Sequence, residues 1–415
     1  MQSLLVLGRQ PELGLAELES LYGPDKLTPL PPSSVILDVD PCLLAFDRLG
    51  GSVKFCKVLT ELDTAKWSEI ERFLIKVSPD HSKSMPQGKM LLGISAHGFT
   101  LTPKQVQRTG LAIKQAIRKT GRSVRVVPNV EIELSSAQVH HNRLTSQNGW
   151  ELVIVKAGTK TVIAQTVKVQ DIGAYARRDQ ARPARDAKVG MLPPKLAQVI
   201  INLAVGRLPE ESIRSICETP PDQPIPAMHY KDNLVLDPFC GSGVILQESV
   251  IMGYDCIGSD DDPRMIQNTR QNIEWLVNLN NSPVKSKANV SLELGDATSH
   301  QWSQMPKTIA SEGFLGKPLT SLPNEPVLKA IMNECDQILG KFLKNIYPQV
   351  ESGTRMCLAI PCWNHGNGKF MHLPFLDSLE VIGYNRLSFK HSGTKLIYYR
   401  SNQVVARELL VITRR

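Results

Sequence analysis

Residues 234–243, LVLDPFCGSG, do more than any other stretch to limit the fold. An apolar run of strand length ends at Asp237, and a turn follows with Gly241 and Gly243 on either side of the small Ser242. Glycines there let the backbone come close to a ligand lying over the carboxyl end of the strand, at the head of the next helix. The alternation then repeats. Helix-like VILQESVIMG leads to strand-like YDCIGSDDD, and PRMIQNTRQNIEWLVNL leads to VSLELGDA and the short KTIASEG. A long helix at PVLKAIMNECDQILGKFLKNIY precedes RMCLAIPCW. Such a β-α-β-α series predicts a parallel sheet with helices on both faces. KLIYYR and ARELLVITR are expected to end the chain as an antiparallel pair. The expected fold class is α/β, a doubly wound sheet with an antiparallel last strand over residues 191–415.

Acids stand at the ends of these strands. Asp260, Asp261 and Asp262 close the second strand, 19 residues after Gly241, and an acid there can accept hydrogen bonds from ribose hydroxyls. Asp261 and Asp262 are also candidates for a helix N-cap with Pro263 at the first helical position, and for Asp262 the cap is the reading adopted. Asp296, in Gly295-Asp296-Ala297 at the end of the third strand, could accept from an adenine amine. The Gly-rich turn has no Lys-Ser/Thr, which disfavours a nucleoside triphosphate, and its acidic entrance disfavours a pyrophosphate. Loop, ribose acid and adenine acid together suit S-adenosyl-L-methionine.

The first half of the chain reads differently. At 415 residues, two or three domains are expected. The formal charge of +8 sits almost wholly in residues 1–230, which carry a net +7. Residues 81–130 hold nine basic residues and no acid. A helix over 103–119 gathers Lys104, Arg108, Lys114, Arg118 and Lys119 within about 140° of arc, with Arg122 just beyond, and sets Val106, Leu111, Ala112 and Ile117 opposite as a core face. That block is either a footprint for a polyanion or a solvated face. Residues 1–55 read as a small α+β unit with a helix at Pro11–Tyr22, and 149–169 as a hairpin turning at Gly158. Residues 169–190 read as a polar connector, and ETPPDQPIPAMHY as a proline-dense approach to the last domain. His140 and His141 are adjacent on a short helix and read as structural or surface groups.

Eight scattered cysteines without zinc-like spacing argue against a disulfide framework or a structural zinc, and no metal is expected. No apolar run approaches the roughly 20 residues of a membrane span, and the first residues lack a basic leader, so no membrane partner and a cytoplasmic location are expected.

The motifs Asp237-Pro-Phe-Cys-Gly-Ser-Gly243, Gly258-Ser-Asp260-Asp-Asp-Pro263 and Gly295-Asp-Ala297 resemble the first three motifs of class I S-adenosylmethionine-dependent methyltransferases. More narrowly, DPFCGSG resembles the THUMP-containing tRNA guanosine-N2 methyltransferases that modify position ten of tRNA. GMLPPKLAQVIINLA is similar to the helix before the first motif in that family, and SSAQVHHNRLTSQNGWELVIV with TKTVIAQTVKVQD is similar to the end of a THUMP domain. The resemblance implies a ferredoxin-like unit at 1–55, a THUMP RNA-binding domain at 56–168, a linker at 169–190 and a methyltransferase domain at 191–415. It implies cofactor contacts from Asp237, Phe239, Cys240, Gly241, Gly243, Asp260, Asp261, Asp296 and Ala297, and RNA contacts from Lys104, Arg108, Lys114, Arg118 and Arg122. It also implies a tRNA (guanine-N2-)-methyltransferase with tRNA as partner; some relatives work with a small activating protein, a further partner that the resemblance admits.

The fourth motif departs from the family's pattern. Amino-methyltransferases of this kind carry Asp/Asn-Pro-Pro-Tyr/Phe, where this chain has Ser311-Glu312-Gly313-Phe314-Leu315-Gly316. Three readings stay open. Glu312 and the Gly313 backbone take the acid's part with Phe314 stacking on the base; the site serves another RNA or DNA base; or the chain binds tRNA without catalysis. Core packing is the plain alternative for Phe314 and Leu315. Trp363 and Asn364 lie where a base could approach or pack at the surface.

Overall fold

The computed structural model describes residues 2–185, 191–218, 234–279, 282, 284, 288–366, 368–400 and 403–415, apart from the side chains of 212 and 215–217. Most of the proline-dense approach and residues 186–190 of the connector therefore lie outside the described residues. The chain divides into two compact units. One comprises residues 1–11, 25–47 and 52–173; the other comprises 12–24, 48–51 and 174–415.

The first unit is built on an eight-stranded sheet. Its strands are β1 (Ser3–Leu7), β2 (Leu27–Leu30), β3 (Ser34–Leu37), β4 (Ser52–Leu62), β5 (Met90–His97), β6 (Val124–Val126), β7 (Gly149–Ala157) and β8 (Lys160–Val169), in the order β2-β3-β1-β4-β8-β7-β5-β6. Strands from the segments read separately as 1–55 and 56–168 share this one sheet, because β4 pairs antiparallel with β1 on one side and β8 on the other. The β7–β8 hairpin turns at Gly158, whose φ of 64° suits glycine. Helices α2 (Trp67–Ser84) and α3 (Pro103–Arg118) lay Ile70, Leu74, Val106, Ile113 and Ile117 on Leu92, Ile94, Leu152 and Ile154. Short α4 (Ser136–His141) leaves His140 and His141 exposed at its end.

The second unit holds a nine-stranded sheet of β9 (Val235–Asp237), β10 (Cys256–Asp260), β11 (Val290–Leu294), β12 (Thr308–Glu312), β13 (Arg355–Asn364), β14 (Phe370–Met371), β15 (Tyr384–Arg386), β16 (Ile397–Tyr398) and β17 (Val405–Arg414). The main path runs β11-β10-β9-β12-β13-β17-β15. The first five are mutually parallel and β17 is antiparallel to both neighbours, so the doubly wound sheet with an antiparallel last strand is present. Ile397–Tyr398 does pair with β17, but the main partners of β17 are β13 and β15. Successive residues of a strand face opposite sides. Thus Val235, Ala310, Ala359 and Leu409 meet α6 (Pro194–Val205) and α8 (Val244–Ile251), whereas Leu236, Ile309, Leu358 and Leu410 meet α10 (Glu325–Ile346). Helix α9 (Pro263–Val277) adds Ile266 and Ile273 to the first of these cores. The part read as a connector contains α5 (Ile172–Gln180), and α7 (Glu210–Glu218) follows α6.

Helix α1 (Pro11–Tyr22) is the main departure from the sequence reading. From Glu12 onward it belongs to the second unit, not to the small unit expected at 1–55. Its Glu17, 0% exposed, accepts from the backbone N–H groups of Gly50 and Gly51, each at 2.9 Å, and from Asn202 Nδ2 of α6 at 2.8 Å. Glu19 accepts from the N–H groups of Lys390 and His391 at 2.6 and 3.0 Å.

Candidate active site

The sheet reverses direction of build between β9 and β12: from β9 the chain steps outward to β10 and β11, then returns to β12 on the other side. Ligands in open α/β sheets lie outside the carboxyl ends of the strands at such a point. Asp237, the Gly-rich turn, Asp260, Asp296 and Glu312 all stand at those carboxyl ends.

The turn is held from several directions. Cys240 N–H donates to Ser259 C=O at 2.9 Å, and Gly243 N–H to Cys240 C=O at 2.7 Å. Thr269 Oγ1 donates to Gly241 C=O at 2.7 Å, and Asn272 Nδ2 to Ser242 C=O at 2.8 Å. Gly241 and Gly243 have φ of 50° and 84°. A Cβ at Gly243 would sit 2.8 Å from Thr269 Cγ2, so α9 requires a glycine there; a Cβ at Gly241 would meet nothing within 4 Å. The first glycine therefore faces open space and the second a wall.

Asp260 ties the first two strand ends together. Its Oδ2 accepts from Gly241 N–H at 2.9 Å and its Oδ1 from Asp262 N–H at 3.0 Å. Burial raises its pKa, with Asp261 and Asp262 adding to the effect and the two N–H donors opposing it. Asp262 is the N-cap of α9, accepting from Arg264 N–H at 2.8 Å with Pro263 next, as expected. Asp261 is exposed. Asp296 is exposed too and accepts from Thr298 N–H at 2.8 Å, while Ala297 is buried and its carbonyl accepts from Asn345 Nδ2 at 3.0 Å.

Asp237 is 2% exposed and accepts from Ser311 Oγ at 2.6 Å and from Phe239 N–H at 3.3 Å. Burial pushes it up to about 7 despite the two donors, and the charges of Asp260 and Glu312 act in the same upward direction. Phe239 packs edge-on to Phe342, with ring centres 5.3 Å apart, and the Cys240 thiol is buried with its pKa well above the ordinary value.

Glu312 ends β12 on the face shared with Ala359 and Leu409. Its Oε1 accepts from Arg407 Nε of β17. Burial raises the carboxyl's pKa and Arg407 lowers it. Gly313 N–H donates to Ala359 C=O at 3.0 Å, and a Cβ on Gly313 would lie 2.7 Å from Leu339 Cδ2. Phe314 is half-buried against the α10 core. Trp363 is 0% exposed and belongs to that core, so it offers no face to a substrate.

Sequence reading missed Ser311, Thr269, Asn272 and Arg407. Only Arg407-Glu408, two charges inside the apolar strand VARELLVITR, carried a visible signal.

The basic residues of the first unit divide. Lys104, Arg108, Arg118 and Lys119 are exposed and Lys114 is half-buried along α3. Arg122 is taken up internally: it donates to the carbonyls of Ser82, Met85 and Pro86 and to Asn148 Oδ1, so it does not extend the basic face. Leu111, read as a core residue, is 44% exposed. At 100° per residue it falls among the basic side chains, and Ile113 takes the core position.

No family model matches the chain. The tRNA (guanine(10)-N2)-dimethyltransferase of Methanothermobacter thermautotrophicus is 32% identical over 98 residues, which is 23% of this chain and 22% of that relative. The chain thus aligns with under a quarter of that enzyme's length. The crystal structure of TrmN from Thermus thermophilus superposes at a TM-score of 0.50 with 14% identity, covering 100% of both chains. The protein has the class I methyltransferase fold, preceded by an additional domain. No helix among the described residues is long and apolar enough to cross a membrane.

Proposed function

We propose that this protein transfers a methyl group from S-adenosylmethionine to the exocyclic N2 amine of a guanosine in tRNA. The observation that carries this reading is the joined pair of strand ends, where Gly241 N–H and Asp262 N–H fix the Asp260 carboxylate beside a glycine facing open space. The donor set suits the cofactor: acids for ribose hydroxyls and a sulfonium, and no lysine in the turn for phosphates. The bound cofactor would supply an activated methyl group. Asp260 would orient the ribose, Asp296 would accept from the adenine amine, and the turn of Asp237, Phe239, Cys240, Gly241 and Gly243 would carry the backbone against it, with Asp261 and Ala297 at the rim.

In this reading Glu312 receives the substrate amine. Oε1 is held by Arg407, and Oε2 has no hydrogen bond among the described residues. A carboxylate fixed at one oxygen can accept from an amine with the other, drawing its lone pair toward the methyl donor and taking up the proton. The Gly313 carbonyl would be the second acceptor and Phe314 the stacking surface for an extruded base. The THUMP-like segment 56–168 would dock the RNA backbone through Lys104, Arg108, Lys114 and Arg118. Local identity to a tRNA methyltransferase supports the RNA class. A cytoplasmic location and a small activating partner belong to the same proposal.

The Glu312–Arg407 ion pair also favours a second reading, a tRNA-binding protein that keeps the fold without turnover, because the guanidinium competes with the amine for the carboxylate. Incubation with labelled S-adenosylmethionine and unmodified tRNA transcripts, followed by nucleoside analysis, separates the two. N2-methylguanosine is the expected product. Tight binding of both ligands with no methylated nucleoside would transfer the case to the second reading.

A further inference from the structure

Arg182 lies between α5 and α6 and is 2% exposed. Its Nη2 reaches Met191 Sδ at 3.0 Å, while Nε and Nη1 have no hydrogen-bond partner among the described residues. A thioether is a weak acceptor, and a buried cation without an anion is costly. Asp179 and Glu248 act on it through their charge, but neither hydrogen-bonds to it among the described residues, and Glu248 is already engaged by Arg178 Nε at 2.7 Å and Gln198 Nε2 at 3.0 Å. The guanidinium is therefore short of an acceptor.

The placement of its segment indicates where one would come from. Two residues on, Ala184 N–H donates to Asn272 Oδ1 at 3.0 Å and Ala184 C=O accepts from Asn272 Nδ2 at 2.9 Å. The same Nδ2 donates to Ser242 C=O. One buried asparagine thus fastens the Arg182 segment to the Gly-rich turn. The charged side chains at that turn and the adjoining strand end, Asp237, Asp260 and Asp261, are acids. They suit ribose hydroxyls and a sulfonium but repel a carboxylate, so the amino-acid end of such a ligand needs a cation from outside the turn.

We propose that Arg182 binds the α-carboxylate of the methyl donor's amino-acid portion. The inference rests on the methyl-donor reading above. An RNA phosphate is the rival anion, but near-complete burial fits a small enclosed group better than a polymer backbone.

The test is Arg182→Met, read by calorimetry with two ligands and by thermal unfolding without ligand. S-adenosylhomocysteine carries the carboxylate; 5′-methylthioadenosine lacks the whole amino-acid end. Affinity for the first should fall about 10- to 100-fold, the range of a charged hydrogen bond, with affinity for the second unchanged. The unliganded variant should melt no lower than the wild type, since it loses an unsatisfied buried cation. Equal weakening for both ligands, unchanged S-adenosylhomocysteine affinity, or a variant that melts well below the wild type each overturns the assignment. Retained S-adenosylhomocysteine affinity with lost tRNA binding would give Arg182 to a phosphate instead. A wild-type protein that binds neither nucleoside would remove the methyl-donor reading itself, an outcome distinct from all of these.

Discussion

Replacing Arg407 by Met should expose how much Glu312 depends on its partner. The two side chains are 9% and 19% exposed, so the pair is shielded but not sealed. Removing one member of a buried pair costs about 3–5 kcal/mol when the other must remain charged. Glu312 has an escape, which is to take a proton. From an ordinary value of 4.5, protonation at pH 7 costs about 3.4 kcal/mol at 1.36 kcal/mol per pH unit, and this sets a ceiling on the loss. At pH 5.5 the ceiling falls to about 1.4 kcal/mol. The sign follows from linkage: in the variant Glu312 has a folded pKa above its unfolded one, so stability is retained below about 4.5 and lost as pH rises through the folded pKa. Urea unfolding of wild type, Arg407→Met, Glu312→Gln and the double variant at pH 5.5, 7 and 8 measures this directly. The single Arg407→Met loss should grow with pH, and the double variant should recover most of it, because replacing both partners leaves no stranded charge. A pH-independent loss, or additivity in the cycle, would refute the claim that the two side chains form one buried unit.

Gly243→Ala should cost about 2–4 kcal/mol, combining a left-handed φ of 84° with the contact to Thr269; Gly353→Ala, at a φ of 85° with open space around it, should cost only the backbone part, and denaturant melts compare them. Asp237→Asn should flatten the pH dependence of stability: a carboxyl pushed from 3.8 to about 7 contributes stability that is lost as pH rises between those values, roughly 4 kcal/mol in all, and the asparagine variant should be the more stable above pH 7 in the same melts. Asp260→Ala should weaken S-adenosylhomocysteine binding at least tenfold by calorimetry while tRNA binding persists. Charge reversal at Lys104 and Arg108 should lower tRNA affinity and flatten its dependence on salt, by about 0.7–0.9 of a logarithmic unit of slope per lost phosphate contact, whereas Arg122→Ala should leave that slope alone and lower the melting temperature instead.

What could be read from the residues was whatever is decided locally. The strand before Asp237, the two glycines, the Asp262 cap and the order of strands and helices after residue 233 all follow from near neighbours in the chain. The misreading of Leu111 was also local, since counting the helical angle puts it among Lys104, Arg108 and Arg118. Other features depend on partners far away. Arg407 lies 95 residues from Glu312 in sequence, and nothing in VARELL says which acid it meets. Helix α1 is legible as a helix, but nothing near it in the chain shows that Glu17 and Glu19 are buried; Leu13 through Tyr22 are buried except Leu15. Its buried acids make sense only once the backbone N–H groups of Gly50, Gly51, Lys390 and His391 are brought to them. Arg122 had the composition of an RNA contact and the geometry of a loop clasp.

The place of α1 in the second unit has a bearing on how this chain is made. The helix is synthesised well before its partners: Asn202 follows Glu17 after 185 positions and His391 follows Glu19 after 372. Until then Leu13 and Ala16 lack the α6 and α8 side chains of their core, and Glu17 lacks its donor from α6. A nascent chain in that condition is a target for chaperones that hold exposed apolar segments. For the same reason a fragment that begins at Ala174 would not hold the second unit whole: it would lack residues 12–24 and 48–51 of that unit along with the first. The two units interleave along the chain and are not separable as stretches of gene.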